Sequence, residues 1–257
     1  MNDTLLQAAT EVARVAGDTA KSYFQRNVAV DTKADGSPVT AADRASEQRA
    51  REWLNQRFPA DGVLGEELGE LRPEAKRRWI LDPIDGTRTF VRGVPLWGTL
   101  VAVAEGERIL AGAAYFPALG EMLAAAPGQG CFWNDQRVRV SSVSQLADMA
   151  LMTTDERFLG HPDKRQGFER LAQKAALSRS WGDCYGYLLV ATGRAEVMVD
   201  PVLSPWDAAA LLPIIEEAGG VFTDWAGRKT AFGGSAIATN SALAQPVRSM
   251  LREGSHV

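Results

Sequence analysis

The chain has 257 residues, of which 46% are hydrophobic and 23% charged. That is the composition of a globular protein with enough apolar material for one large core or two tightly joined halves. A net charge of −4 leaves no basic footprint for nucleic acid. Two cysteines do not make a disulfide framework, and two histidines, His161 and His256, exclude a histidine-rich metal centre. Any resident metal would be held by oxygen.

Leu5, Leu6, Val12 and Val15, interrupted by Asp3, Glu11, Arg14 and Asp18, predict an amphipathic helix from Asp3 to about Gln25 rather than a signal peptide. No apolar run approaches the roughly 18 residues of a membrane span, so a cytoplasmic protein without a membrane partner is expected. Val28 to Lys33 alternates as a strand, and Ala34-Asp35-Gly36-Ser37-Pro38 is a turn-rich loop. Thr40 then caps a helix reaching about Phe58, with Asp43 at its third position, where a carboxylate suits the helix dipole. Val63 to Glu67 is a short strand running into paired acids, which are ordinarily solvated. A polar loop is expected up to Arg78.

Arg78 to Leu81 has the apolar character of a buried strand, and Asp82-Pro83 is expected to end it. Leu96–Ala104 and Ile109–Phe116, joined by Glu105-Gly106-Glu107-Arg108, form an antiparallel hairpin continued by Met122–Ala126. Asn134-Asp135-Gln136 is a turn. Further strands are expected at Ala150–Thr153, Ala195–Val199 and Val221–Thr223. Helices are expected from Asp163 to about Leu177, from Gly182 to Thr192 with Gly193 closing it, and from Pro205 to Ala218 after the cap Ser204. The polar stretch 141–148 divides an N-terminal half, 1–143, from a C-terminal half, 144–257, within one compact unit.

The chemistry concentrates in Asp82-Pro83-Ile84-Asp85-Gly86-Thr87. Pro83 restrains the backbone between two carboxylates, and Gly86-Thr87 offers amides and a hydroxyl. Held carboxylates beside exposed N–H groups suit a hard cation and a bound phosphate. An ordinary turn closing a strand would use the same residue types.

Taken with Glu66-Glu67, Trp206-Asp207 and Glu217-Ala218-Gly219-Gly220, this set resembles the inositol monophosphatase family. The likeness extends upstream to Lys33 and Val39-Thr40-Ala41-Ala42-Asp43 and downstream to Ala238-Thr239-Asn240. It implies an αβαβα sandwich and Mg²⁺-dependent hydrolysis of a small phosphorylated metabolite by a homodimer, with two or three ions and Mn²⁺ able to substitute. Carried over by position, Glu66, Asp82, Asp85 and Asp207, with the Ile84 carbonyl, would hold the metal. Glu66, Thr87 and Asp43 would activate water. Gly86, Thr87, Asp183, Cys184, Asp200 and Asp207 would contact substrate.

Phe90 to Trp97 and Trp181-Gly182-Asp183-Cys184-Tyr185-Gly186-Tyr187 resemble the histidinol-phosphate phosphatase branch. Asp200 stands where inositol phosphatases commonly carry Glu. Asp183 and Asp200 are expected to face a cationic substrate, with Trp181 or Tyr185 as an aromatic wall. Core packing is the plainer role for Trp181, Tyr185 and Tyr187, and Cys184 suits a small buried filler. An inositol-1-phosphate or broad sugar-phosphate phosphatase is the alternative enzyme. A regulatory protein of this fold that binds RNA or a transcription partner is the alternative class.

Overall fold

The computed structural model describes residues 2–26, 29–32 and 38–252. The chain order is α1 (Asn2–Lys21), β1 (Val30–Thr32), β2 (Pro38–Thr40), α2 (Ala41–Arg57), β3 (Gly62–Gly65), β4 (Gly69–Leu71), β5 (Arg77–Asp85), α3 (Thr87–Val91), β6 (Gly98–Glu105), β7 (Arg108–Phe116), β8 (Glu121–Ala126), β9 (Gly130–Trp133) and β10 (Gln136–Val138). After a 3₁₀ turn at Leu146–Asp148 come β11 (Ala150–Thr153), α4 (Pro162–Ala172), β12 (Leu177–Arg179), α5 (Asp183–Ala191), β13 (Val197–Asp200), α6 (Pro205–Ala208), α7 (Leu211–Glu217), β14 (Val221–Thr223), β15 (Ala236–Thr239) and α8 (Ala244–Arg252).

Period-two alternation sorts the strands into layers. In the large sheet, ordered β10-β9-β8-β7-β6-β5-β3-β4 and antiparallel except at β3–β5, Trp79, Leu81, Val101, Val103 and Ala113 pack under α1 and α2. The alternate residues Ile80, Leu100, Ala102, Ala114 and Leu123 face the opposite way, onto α5 and α7. The small sheet, ordered β12-β11-β13-β15-β14, places Met152, Met198, Ala236 and Ala238 against those same helices. Its other face buries Leu151, Val197, Val199 and Ile237 under α4 and α8. The result is the expected helix–sheet–helix–sheet–helix sandwich.

Differences from the expected elements have local causes. β5 does not stop at Asp82: it continues through Pro83 to Asp85, with an irregular register against β6 between those aspartates. Pro83 lacks the N–H a regular ladder needs, and its carbonyl accepts from Thr99 Oγ1 at 2.8 Å instead. The expected helix 205–218 is two, α6 and α7. Pro213 has no N–H and its ring opposes the carbonyl four residues back, which breaks the helix at Ala209-Ala210. The helix expected to reach Leu177 ends at Ala172, because the amides of Ala176 and Leu177 turn onto the Met149 carbonyl and start edge strand β12.

α1 ends at Lys21 rather than Gln25. The polar loop before Arg78 contains β4. Asn134 and Asp135, at φ 46° and 64°, make the two-residue β9–β10 turn, and Gln136 already belongs to β10. Of the expected strand 28–33, residues 30–32 are β1. Val28, Lys33 and the loop residues 34–37 lie outside the described residues.

Candidate active site

The irregularity in β5 is what assembles the acidic cluster. Residues three apart on a regular strand point to opposite faces; the register shift turns Asp85 back beside Asp82. Ile84 N donates to Asp82 Oδ1 at 3.0 Å and fixes the turn between them. Asp207 arrives from the first turn of α6, where its Oδ2 accepts from Ser204 N at 2.7 Å. One carboxylate oxygen from each of Asp82, Asp85 and Asp207 lies within 4.8 Å of the other two.

Glu66 joins from the end of β3. Its amide donates to Leu81 O at 3.2 Å, and its carboxylate meets that of Asp82. Behind it stands Glu47, fully buried on α2, accepting from Glu67 N at 2.7 Å and Leu68 N at 3.2 Å and paired with Arg51 at 2.7 Å. Nothing in the local sequence marks Glu47; only the approach of α2 to the β3 turn gives it this work.

Electrostatics follow from that crowding. Burial first, then the charges of Glu66, Asp85 and Asp207, push Asp82 well above the usual carboxylate range. Burial, Asp183 and Asp207 do the same to Asp85. Such a set cannot ionise together without cations. The donors are all oxygen, in a cluster free of histidine and cysteine, which fits Mg²⁺ rather than a softer ion.

Asp43 is held at the start of α2 by a reciprocal cap: its Oδ2 accepts from Thr40 N at 2.8 Å and Thr40 Oγ1 at 2.6 Å. Its other oxygen, Oδ1, lies 3.3 Å from Thr87 Oγ1, which is also 3.0 Å from the Ile84 carbonyl. The fold thus brings together Asp43 and Thr87, 44 residues apart. Gly86 sits at φ 85°, in the left-handed region, and an added Cβ would lie 3.0 Å from Asp183 Oδ2.

Glu66, Asp85, Gly86, Thr87, Asp183, Cys184, Asp200 and Asp207 share one cleft of about 470 Å³. Asp82, Ile84 and Asp43 stand behind it, almost fully buried. Asp183 Oδ2 accepts from Thr89 Oγ1 at 2.7 Å, and burial raises its carboxyl. Cys184 is a buried filler whose amide donates to Asp85 Oδ2 at 2.6 Å, and burial raises its thiol.

Asp200, at the end of β13, is 3% exposed. Thr154 N donates to its Oδ1 at 3.2 Å and Tyr187 OH to its Oδ2 at 2.9 Å. Burial pushes this carboxyl up to about 7 despite those donors. Thr154 also accepts from Asp183 N at 3.1 Å, so one threonine ties the two aspartates together.

The expected aromatic wall is not where the sequence put it. Trp181 is 44% exposed and outside the cleft lining. Tyr185 packs edge-on against Phe116 at 5.4 Å. The aromatic residues that line the cleft are Tyr187 and Phe158. Thr154, Thr89 and Glu47 are participants that sequence reasoning left out, and Tyr187, buried as core packing would have it, also donates to Asp200.

The sequence profile of the inositol monophosphatase family matches residues 1–254. The chain belongs to the inositol monophosphatase family. That family is metal-dependent, with Mg²⁺ its usual ion. The chain is 42% identical over 251 residues to a histidinol-phosphatase of Chlorobaculum parvum, covering 97% of each chain. It is 38% identical to a histidinol-phosphatase of Mycobacterium tuberculosis, covering 98% of this chain and 99% of that one. A solved inositol monophosphatase from Zymomonas mobilis superposes with a TM-score of 0.87 at 34% identity, covering 97% and 98% of the two chains. No helix among the described residues is long and apolar enough to cross a membrane.

Proposed function

We propose that this chain is a Mg²⁺-dependent phosphatase that hydrolyses L-histidinol phosphate to L-histidinol with water as the nucleophile. Glu66, Asp82, Asp85, Asp207 and the Ile84 carbonyl would hold the ions, two or three in number. Bound Mg²⁺ supplies positive charge that offsets the phosphate dianion and favours ionisation of the attacking water. Gly86 and Thr87 present backbone amides to the phosphate oxygens. Thr87 Oγ1, held between Asp43 and the Ile84 carbonyl, accepts from the attacking water and orients it toward phosphorus. The proton moves toward the buried Asp43 Oδ1, whose partner oxygen is already saturated by Thr40. Glu66 completes the water site from the other side. The working assembly in this reading is a cytoplasmic homodimer.

The observation that carries the substrate reading is that Asp183 and Asp200 line the same cleft as the metal-type cluster. Histidinol phosphate bears an ammonium and an imidazole beyond its phosphate, and carboxylates reward those groups more than they reward a polyol. The two histidinol-phosphatases of 42% and 38% identity support the same choice. Inositol 1-phosphate is the second reading. It is favoured by the engagement of both Asp200 oxygens within the protein, which leaves that residue less charge to offer an ammonium. A substrate panel with Mg²⁺ separates them: histidinol phosphate should show the highest kcat/KM against inositol 1-phosphate and fructose 1,6-bisphosphate. A higher value for inositol 1-phosphate would overturn the choice.

A further inference from the structure

Leu159 and Val202 are 70% and 59% exposed, the two most exposed large apolar side chains among the described residues. Singly, exposed aliphatic residues are ordinary. These two line one cleft, the one that holds the acidic cluster, and none of the other large exposed apolar residues does.

Their placement is built into the small sheet. β11 and β13 are parallel neighbours, with Thr153 opposite Val199. Leu159 lies on the segment that follows the C-terminal end of β11, and Val202 on the one that follows β13. The crevice beyond such strand ends is where open α/β sheets receive small ligands.

Both segments are pinned at the base. Phe158, 2% exposed, is buried against Phe168 at 5.0 Å and Trp225 at 6.1 Å. Lys164 Nζ donates to Pro201 O at 2.7 Å, and Leu203 N to Gly234 O at 3.0 Å. Thr154 N on Asp200 Oδ1 ties one strand end to the other. Two exposed apolar side chains thus stand on anchored loops and line the same cleft as the acidic groups.

We propose that Leu159 and Val202 form an apolar clamp for a flat ring carried by the alcohol portion of the substrate. The clamp deepens the phosphatase reading, on which it rests, by naming the group that selects the substrate. A cleft of about 470 Å³ takes one small metabolite rather than a protein segment. Phosphate is then gripped at the Gly86 end, charged substituents meet the aspartates, and the ring face meets Leu159 and Val202. A polyol phosphate presents hydroxyls to the same surfaces and gains nothing from them.

The test compares Leu159→Ser and Val202→Ser with wild type on two ring-bearing substrates, histidinol phosphate and benzyl phosphate, and on ring-free glycerol 2-phosphate. Sedimentation velocity is run on each protein. Loss of one aliphatic contact in a ligand pocket should lower the ratio of ring-bearing to ring-free kcat/KM by about tenfold, with the sedimentation coefficient unchanged. Leu159→Met should restore the ratio. Ratios unchanged for both ring-bearing substrates would overturn the clamp, and smaller sedimentation with unchanged ratios would assign the patch to a second copy of the chain. Wild-type preference for inositol 1-phosphate over histidinol phosphate would instead defeat the substrate reading, while the benzyl phosphate ratio still decides the clamp.

Discussion

Replacing Asp200 with asparagine keeps the side chain's shape and removes its charge. The carboxyl is fully buried, and its value in the folded protein is about 7 against an ordinary 3.8. Between those values the folded chain holds a proton that the unfolded chain has released. Native stability therefore falls as pH rises from about 4 to about 7 and then levels, by about 1.4 kcal/mol per unit. The whole shift corresponds to a cost of about 4 kcal/mol above pH 7, with no screening to discount at this depth. Asparagine carries no such dependence. Some of the gain is offset because Thr154 N and Tyr187 OH both donate to this residue, and an amide offers one acceptor oxygen. That loss is the same at every pH and cancels in the comparison.

Urea unfolding of both proteins, with EDTA present, at pH 5 and pH 8 measures the effect. The stability of Asp200→Asn relative to wild type should rise by about 3 kcal/mol over that interval. A difference that does not change with pH would refute the burial argument and place the Asp200 charge in contact with solvent or a cation.

Three further outcomes are expected. Thr87→Ala should lower kcat by about 10²–10⁴-fold with little change in KM, since the hydroxyl acts mainly in the transition state; steady-state kinetics check this. Gly86→Ala should cost about 1–2 kcal/mol in urea unfolding, because φ 85° is left-handed, and should lower kcat by displacing Asp183 from 3.0 Å. Glu47→Gln should destabilise by about 3 kcal/mol by leaving Arg51 without its buried partner. The same variant should need more Mg²⁺ for half-maximal activity, because the Glu66-Glu67 turn loses its anchor; a metal titration reads this.

Local signals carried much of the fold. The capped start of α2, the β6–β7 hairpin and the αL glycine after α5 follow from neighbours in sequence, and the sequence pattern places each correctly. The Asp82-to-Asp85 stretch was legible as a held pair of carboxylates but not as a continuing strand. That distinction depends on β6, which supplies Thr99 to the Pro83 carbonyl. The sequence reading ran one helix from Pro205 to Ala218 straight through Pro213, because the apolar pattern around that residue obscured the break between α6 and α7.

The Asp183 and Asp200 side of the cleft was least legible, because its contacts span long separations. Thr154 meets Asp200 46 residues away, Thr89 meets Asp183 across 94 and Cys184 meets Asp85 across 99. No short window contains these pairs. Aromatic residues near Asp183 suggested a wall, but the turn at Trp181, φ 66°, directs that residue outward. The exposed aliphatic pair on the β11 and β13 loops had no pattern at all in sequence.

In the proposed mechanism the carboxylate cluster on β5 and α6 works through bound cations to hydrolyse a phosphate monoester. Phosphate release from histidinol phosphate, measured before and after exhaustive chelation and again after Mg²⁺ is restored, tests it most directly, with Asp85→Asn assayed in parallel. Wild type should fall to background and recover, while Asp85→Asn, folded by circular dichroism, should stay near background throughout. Full turnover in the chelated enzyme, or wild-type rates in Asp85→Asn, would contradict the account.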